Sequence, residues 1–232
     1  APDDEWADFS IVDVRTLDPS FKSQPKGSYG RDALKTGLEL ERALGMNPYR
    51  LGFIGSTDGH NASSPFEEDN YTGKLGPGDA TPEKRLAMIE TRPGVEPVVS
   101  LTTRWGSSAG LAGVWAEANT REAIFDAIRR RETFATSGPR IRLRMHASWD
   151  AQLVASLIAT PNQPETDTVP MGGVLAPSIG ATSAAPSLAI HAQKDPSEAP
   201  LERLQVVKGW LKDGVAHERV IDMACMDGAR PD

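Results

Sequence analysis

Apolar residues recur every three or four positions from Ala33 to Leu44, where Ala33, Leu34, Leu38, Leu40, Ala43 and Leu44 form one stripe. That spacing matches the helical turn and predicts a helix over Ser28–Leu44. Gly45 stands where a helix C′ residue belongs, and Pro48 bars continuation. The next run, Leu51-Gly-Phe-Ile-Gly-Ser56, is short, apolar and bounded by turn residues, which predicts a buried strand. Helix, short loop and buried strand in succession is the order of an α/β domain.

Farther along, Asn119–Arg131 reads as a second helix, with Asn119 as N-cap and Glu122 reaching back to it. Ala123, Ile124, Ala127 and Ile128 make its buried face. Arg129, Arg130 and Arg131 read as a solvated last turn, where cations suit the helix dipole. Ile141–His146 alternates strictly and predicts a half-exposed strand. Ser187–His191, Leu204–Trp210 and Val220–Cys225 are further strands, with Gly214 marking a turn between the last two. Weaker patterns suggest a strand at Phe9–Val14, a short helix at Glu83–Thr91 and a strand at Val98–Thr103. Residues 57–82 have no clear period, and an unstructured stretch of that length is uncommon unless it is functional or disordered. The expected division is an α/β part over residues 1–145, a connecting region over 146–170, and a small antiparallel β-rich module over 171–232.

Composition narrows the function classes. With 39% hydrophobic residues the chain of 232 can bury a core. Its net charge of −7 argues against a general nucleic-acid or anionic-membrane binder, which needs a basic face. No run approaches the ~18 apolar residues of a membrane span. The single cysteine, Cys225, excludes an internal disulfide. It reads either as an ordinary buried thiol or as half of a disulfide with a partner beyond residue 232. The chain starts at Ala1 and stops directly after a strand-like stretch, so a fragment of a longer protein is expected. The compartment stays open: a periplasmic or secreted location rests on a paired Cys225, and the sequence does not exclude a cytoplasmic one.

The chemistry concentrates in Ile54-Gly-Ser-Thr-Asp58-Gly59-His60-Asn61. Loops leaving the carboxyl ends of strands form active sites in α/β folds. If the chain stays extended, Asp58 and His60 project to the same face. A carboxylate with an imidazole suits Zn, Mn or Fe at ~2.0–2.2 Å. Asn61 or Ser56 could hold the imidazole in place. The competing reading is a turn aspartate beside a hydrogen-bonded surface histidine. Two residues do not close a metal site, and Glu67, Glu68 and Asp69 are candidate extra carboxylates. His146, His191 and His217 read as ordinary surface or core histidines.

Three longer stretches carry a resemblance: Tyr29-Gly-Arg-Asp-Ala-Leu-Lys-Thr-Gly-Leu followed by Asn47-Pro; Gly52-Phe-Ile-Gly-Ser-Thr-Asp-Gly-His-Asn61; and Arg130-Arg-Glu-Thr-Phe-Ala-Thr-Ser-Gly-Pro-Arg-Ile141. Val169-Pro-Met-Gly-Gly173, Lys194-Asp-Pro196, Gln205-Val-Val-Lys-Gly-Trp210 and Asp222-Met-Ala-Cys-Met-Asp-Gly228 add to it. Together they resemble the carboxyl-terminal portion of domain-of-unknown-function family 3604. That family is similar to the polymerase-and-histidinol-phosphatase (PHP) superfamily of metal-dependent phosphoesterases. The resemblance implies a partial, distorted β/α barrel over residues 1–145, followed by the β-rich module. It also implies that Asp58 and His60 are the superfamily's last ligand motif, Asp-x-His after a late barrel strand. The earlier ligands, including a His-x-His pair, have no counterpart here and would belong to the amino-terminal remainder of the same protein.

The resemblance further implies a hydrolase of small-molecule phosphate esters, using water activated by divalent metal. Arg31, Lys74 and Arg140 lie in or near the resembling segments and are candidates to grip phosphate oxygens, against the plainer reading of solvated or structural cations. The loop 61–82 could close over substrate. Two other readings stay open: a non-catalytic ligand- or partner-binding module on a barrel scaffold, and a hydrolase of another bond such as an amide or sulfate ester. Trp105, Trp115, Trp149 and Trp210 read as core or edge fillers rather than a carbohydrate platform.

Overall fold

The computed structural model describes residues 21, 22, 24–60, 62, 81–89, 93, 94, 98, 99, 110–160, 167–178 and 185–226. The expected strand at Phe9–Val14, Lys74, Glu67, Glu68, Asp69, Asn61, Trp105 and most of the 61–82 loop lie outside them. Helix α1 (Gly30–Leu44) forms where the apolar stripe predicts it, and its cap Gly45 adopts φ 74° while donating its N–H to the Glu41 carbonyl. Only a residue without Cβ takes that left-handed turn at little cost. At the other end, the Asp32 carboxylate accepts from the Gly27 N–H at 3.0 Å and pairs with Lys35 at 3.0 Å.

A one-turn helix α2 (Pro82–Arg85) leads to β1 (Met88–Ile89), which pairs antiparallel with β2 (Val98–Val99). The helix expected to reach Thr91 is therefore cut short. Strand β3 (Leu111–Val114) pairs antiparallel with β4 (Thr133–Thr136), and α3 (Arg121–Arg130) connects them. Thr120, not Asn119, caps α3 by accepting from the Ala123 N–H, so the box expected between Asn119 and Glu122 does not form. Ala127 is fully buried on the inner face, whereas Ile128 is exposed.

Strand β5 (Arg142–Ser148) is the centre of a three-stranded antiparallel sheet, flanked by β6 (Val169–Pro170) and β7 (Ser187–Gln193). Helix α4 (Ala151–Ala159) lies within the stretch read as a connection. Its cap is explicit: the Asp150 carboxylate accepts from the Gln152 and Leu153 N–H groups at 2.8 and 3.3 Å. Val154 and Leu157 on α4 pack on Ala189 of β7, giving a small apolar core. Strands β8 (Arg203–Lys212) and β9 (Val215–Cys225) form a long hairpin. Its two-residue turn, Asp213-Gly214, has φ of 53° and 81°, as a twist-matched tight hairpin requires. The molecule thus combines helices with small antiparallel sheets, and no closed barrel is present among the described residues.

The hairpin packs against α1. Arg31 grips Glu218 through two hydrogen bonds, Nε to Oε2 at 3.1 Å and Nη2 to Oε1 at 2.6 Å. The Ala216 N–H donates to Glu39 at 3.0 Å. Two charged contacts therefore fix the carboxyl-terminal hairpin to the first described helix.

The buried strand predicted at Leu51–Ser56 is corrected: these residues form no ladder, and Leu51, Phe53 and Ile54 are exposed. The segment still passes close to β3 and β4. A Cβ on Gly52 would lie 3.0 and 3.1 Å from Arg131 and Thr133, and one on Gly55 would lie 2.8 Å from the Leu111 and Thr136 carbonyl oxygens. Residue numbers rise together, so the segment runs in the same direction as β4. Its glycines let backbones approach without completing hydrogen bonds.

Candidate functional site

Asp58-Gly59-His60 comes directly after this segment and is exposed. Asp58 has φ 53°, a left-handed conformation, so the extended geometry assumed for Asp58 and His60 is not what forms. A turn forms instead. The Asp58 N–H donates to Ser56 Oγ at 3.2 Å and the Gly59 N–H to Thr57 Oγ1 at 3.3 Å. Asparagine and aspartate tolerate left-handed backbone better than other side chains, and hydroxyls two residues back close such turns.

The turn sets the histidine. His60 Nδ1 lies 2.6 Å from the Asp58 backbone carbonyl oxygen. A carbonyl only accepts, so Nδ1 carries the proton and donates; in the neutral ring the lone pair is then on Nε2. A backbone carbonyl on Nδ1–H is a common arrangement for orienting a metal-binding imidazole. The donor chemistry of an anionic oxygen with a neutral imidazole nitrogen fits a divalent transition metal. The number of donors is short of a closed site: among the described residues no group of three or more His, Cys, Asp or Glu side chains converges.

Of the candidate phosphate-gripping cations, Arg31 is engaged by Glu218 and lines a cavity whose walls do not include Asp58, His60 or Arg140. Arg140 donates its backbone N–H to Asp195 at 2.7 Å, and Lys74 lies outside the described residues. Backbone donors from Ser197 and Arg140 hold the Asp195 carboxyl below its ordinary pKa.

The other histidines have structural settings. His146 is buried and its Nδ1 meets Thr168 Oγ1 at 3.2 Å. His191 Nε2 meets the Leu157 carbonyl at 3.0 Å, tying β7 to α4. His217 stacks on Trp210, with ring centroids 5.6 Å apart. Trp115 and Trp149 each donate an indole N–H to a backbone carbonyl, Leu143 and Ala176 respectively, at 2.8 Å. Cys225 is a half-buried free thiol.

The arginine run is a solvated helix end at Arg129 and Arg130, both exposed, and the expectation needs correction at Arg131. Arg129 lies over the Phe125 ring and Arg130 pairs with Glu132 at 2.6 Å. Arg131 turns inward, is half-buried, and donates from Nε to the Gly172 carbonyl at 2.9 Å. No periodicity in the sequence signals this, because it arises from tertiary approach to Gly52 and Gly172.

A family model described as a protein of unknown function (DUF3604) matches residues 1–232. Among curated proteins and among solved structures, nothing matches the chain. No helix among the described residues is long and apolar enough to cross a membrane.

Proposed function

The chain belongs to the DUF3604 family, and we propose that it is part of a metal-dependent hydrolase acting on phosphate esters. Asp58 and His60 hold one divalent cation, of the Zn, Mn or Fe type. The observation that carries this reading is the bond from His60 Nδ1–H to the Asp58 carbonyl, because it directs Nε2 as a ligand. The remaining ligands belong to residues outside the described set or to other parts of the complete protein.

A cation bound there supplies Lewis-acid activation of water and charge stabilisation during attack on phosphorus. The residues of this chain do the rest. Asp58 contributes negative charge to the cation site, and its carbonyl keeps the imidazole in one tautomer. Ser56 and Thr57 accept the turn's N–H groups and hold the pair in place.

The test is hydrolysis of a chromogenic phosphomonoester and phosphodiester by the complete protein supplied with Zn, Mn or Fe. Asp58→Asn keeps the shape and removes the charge. It is expected to reduce the rate about 100-fold or more, since even residues behind the ligands cost about 10–100-fold. Turnover of a sulfate ester or amide alone would move the proposal to another bond. Absence of turnover with all of them would favour the non-catalytic binding module.

A further inference from the structure

A cavity of about 440 Å³ lies between α1, the 47–51 loop, the end of α3, the 172–174 turn and β8. That size falls in the ordinary range for small-molecule sites. It shares no residue with the Asp58–His60 turn. Its walls are largely apolar, with Leu34, Leu38, Leu51, Val174 and Val207. Its lining also carries charge: Arg31, Lys35, Arg50 and Arg131 stand against Glu41 and Glu218, an excess of two positive charges (4 − 2) on a chain of net −7.

Three of these cations are ion-paired, Lys35 also to Asp32, which does not line the cavity. Arg31 and Lys35 share Glu218, and Arg50 pairs with Glu41. Arg131 differs. Among the described residues its two Nη groups have no hydrogen-bond or ion-pair partner, while Nε is tied to the Gly172 carbonyl. Its stem is clasped between Gly52 and Gly172: a Cβ on either would lie 3.0 Å or less from Arg131 Cβ. It also holds φ 64°, a conformation that glycine adopts far more readily at a helix end. Backbone strain in a long cationic residue, a packed stem and a guanidinium fork whose Nη groups have no partner among the described residues occur together at the wall of an apolar cavity.

We propose that this cavity binds a small amphipathic organic anion, with a carboxylate or phosphate head on the Arg131 Nη edge and an apolar body against Leu34, Leu38 and Val207. A guanidinium fork matches both heads, and a half-buried one makes the stronger, charge-assisted bonds. The apolar wall explains why the ligand is an organic anion rather than a bare ion.

Isothermal titration of the full chain tests this with four probes: phenyl phosphate, benzoate, the neutral isostere benzyl alcohol, and inorganic phosphate. The expected result is saturable binding of at least one organic anion, at least about tenfold tighter than benzyl alcohol or inorganic phosphate. The tighter of the two organic anions assigns the head group. Arg131→Gln is expected to weaken it by about tenfold or more, the loss of a charge-assisted bond. Asp58→Ala is expected to bind as the wild type does, which separates this site from the proposed metal site. Should Arg131→Gln fail to fold, Val174→Trp fills the cavity and is expected to abolish binding. No saturable binding of either organic anion, equal binding of benzyl alcohol or inorganic phosphate, or undiminished affinity in folded Arg131→Gln or Val174→Trp overturns the proposal.

Discussion

Replacing Glu218 by Gln removes one charge from the clamp between α1 and the β8–β9 hairpin while keeping the side chain's shape. The geometry sets the magnitude. The pair is bidentate, at 2.6 and 3.1 Å, and the side chains of Arg31 and Glu218 are 27% and 13% exposed. It therefore lies between an exposed ion pair, worth about 0–1 kcal/mol, and a buried one, whose rupture costs about 3–5 kcal/mol. The glutamine oxygen still accepts from Arg31, so the expected loss is about 1–2 kcal/mol. At roughly 2–4 °C per kcal/mol for a chain of this size, Tm falls by about 2–8 °C. The pH dependence has a fixed sign. Hydrogen bonding from Arg31, then its charge and that of Lys35, holds the Glu218 carboxyl below its ordinary pKa of 4.5 against the opposing effect of burial. A depressed carboxylate pKa gives stability that is present above the unfolded value and lost as pH falls through the folded one. The wild-type advantage should be constant from about pH 8 to pH 5.5 and shrink below about pH 4.5. Urea unfolding across that range, with Arg31→Met and the double variant completing a cycle, measures it. A coupling energy below about 0.3 kcal/mol, or an advantage undiminished at acid pH while both proteins remain folded, would refute the reasoning.

Two further substitutions probe local structure. Asp150→Ala removes both acceptor bonds at the start of α4 and should cost about 1 kcal/mol by denaturant unfolding; Asp150→Asn should recover most of it. Gly55→Val places side-chain atoms against the Leu111 and Thr136 carbonyls and should cost about 1–3 kcal/mol, whereas a neutral result would mean the segment does not pack on β3 and β4.

Legibility in the sequence tracks the range of the forces involved. Helix α1, its Gly45 cap, strands β5 and β7, and the hairpin over Arg203–Cys225 are set by local periodicity and turn chemistry. The α3 cap moved by one residue because Asn119 and Thr120 are both competent, and only the backbone entry decides which hydroxyl or amide meets an N–H. The Leu51–Ser56 run has the composition of a strand and forms no ladder, because short apolar stretches say nothing about ladder partners. Helix α4 was hidden in a region whose surrounding residues are small and proline-rich, although Asp150 before Ala-Gln-Leu-Val is a legible start. Of the candidate site, the Asp-x-His pair was visible as residue types. The left-handed Asp58 and the His60 bond to its carbonyl were not, and neither was Arg131 in its cavity. The Arg131 setting depends on how distant segments meet, whereas the Asp58 turn is local but rests on a backbone conformation that periodicity does not report.

The most direct measurement is metal content per chain, by elemental analysis of the complete protein after chelation and reloading with Zn or Mn, for wild type and His60→Ala. Folding of both is checked by circular dichroism. Removing the imidazole is predicted to lower the bound metal by about one equivalent, or to weaken its retention by at least about tenfold, with hydrolysis falling in parallel. Equal metal content and equal rates in the two proteins would contradict the role given to His60 and, with it, the hydrolase proposal.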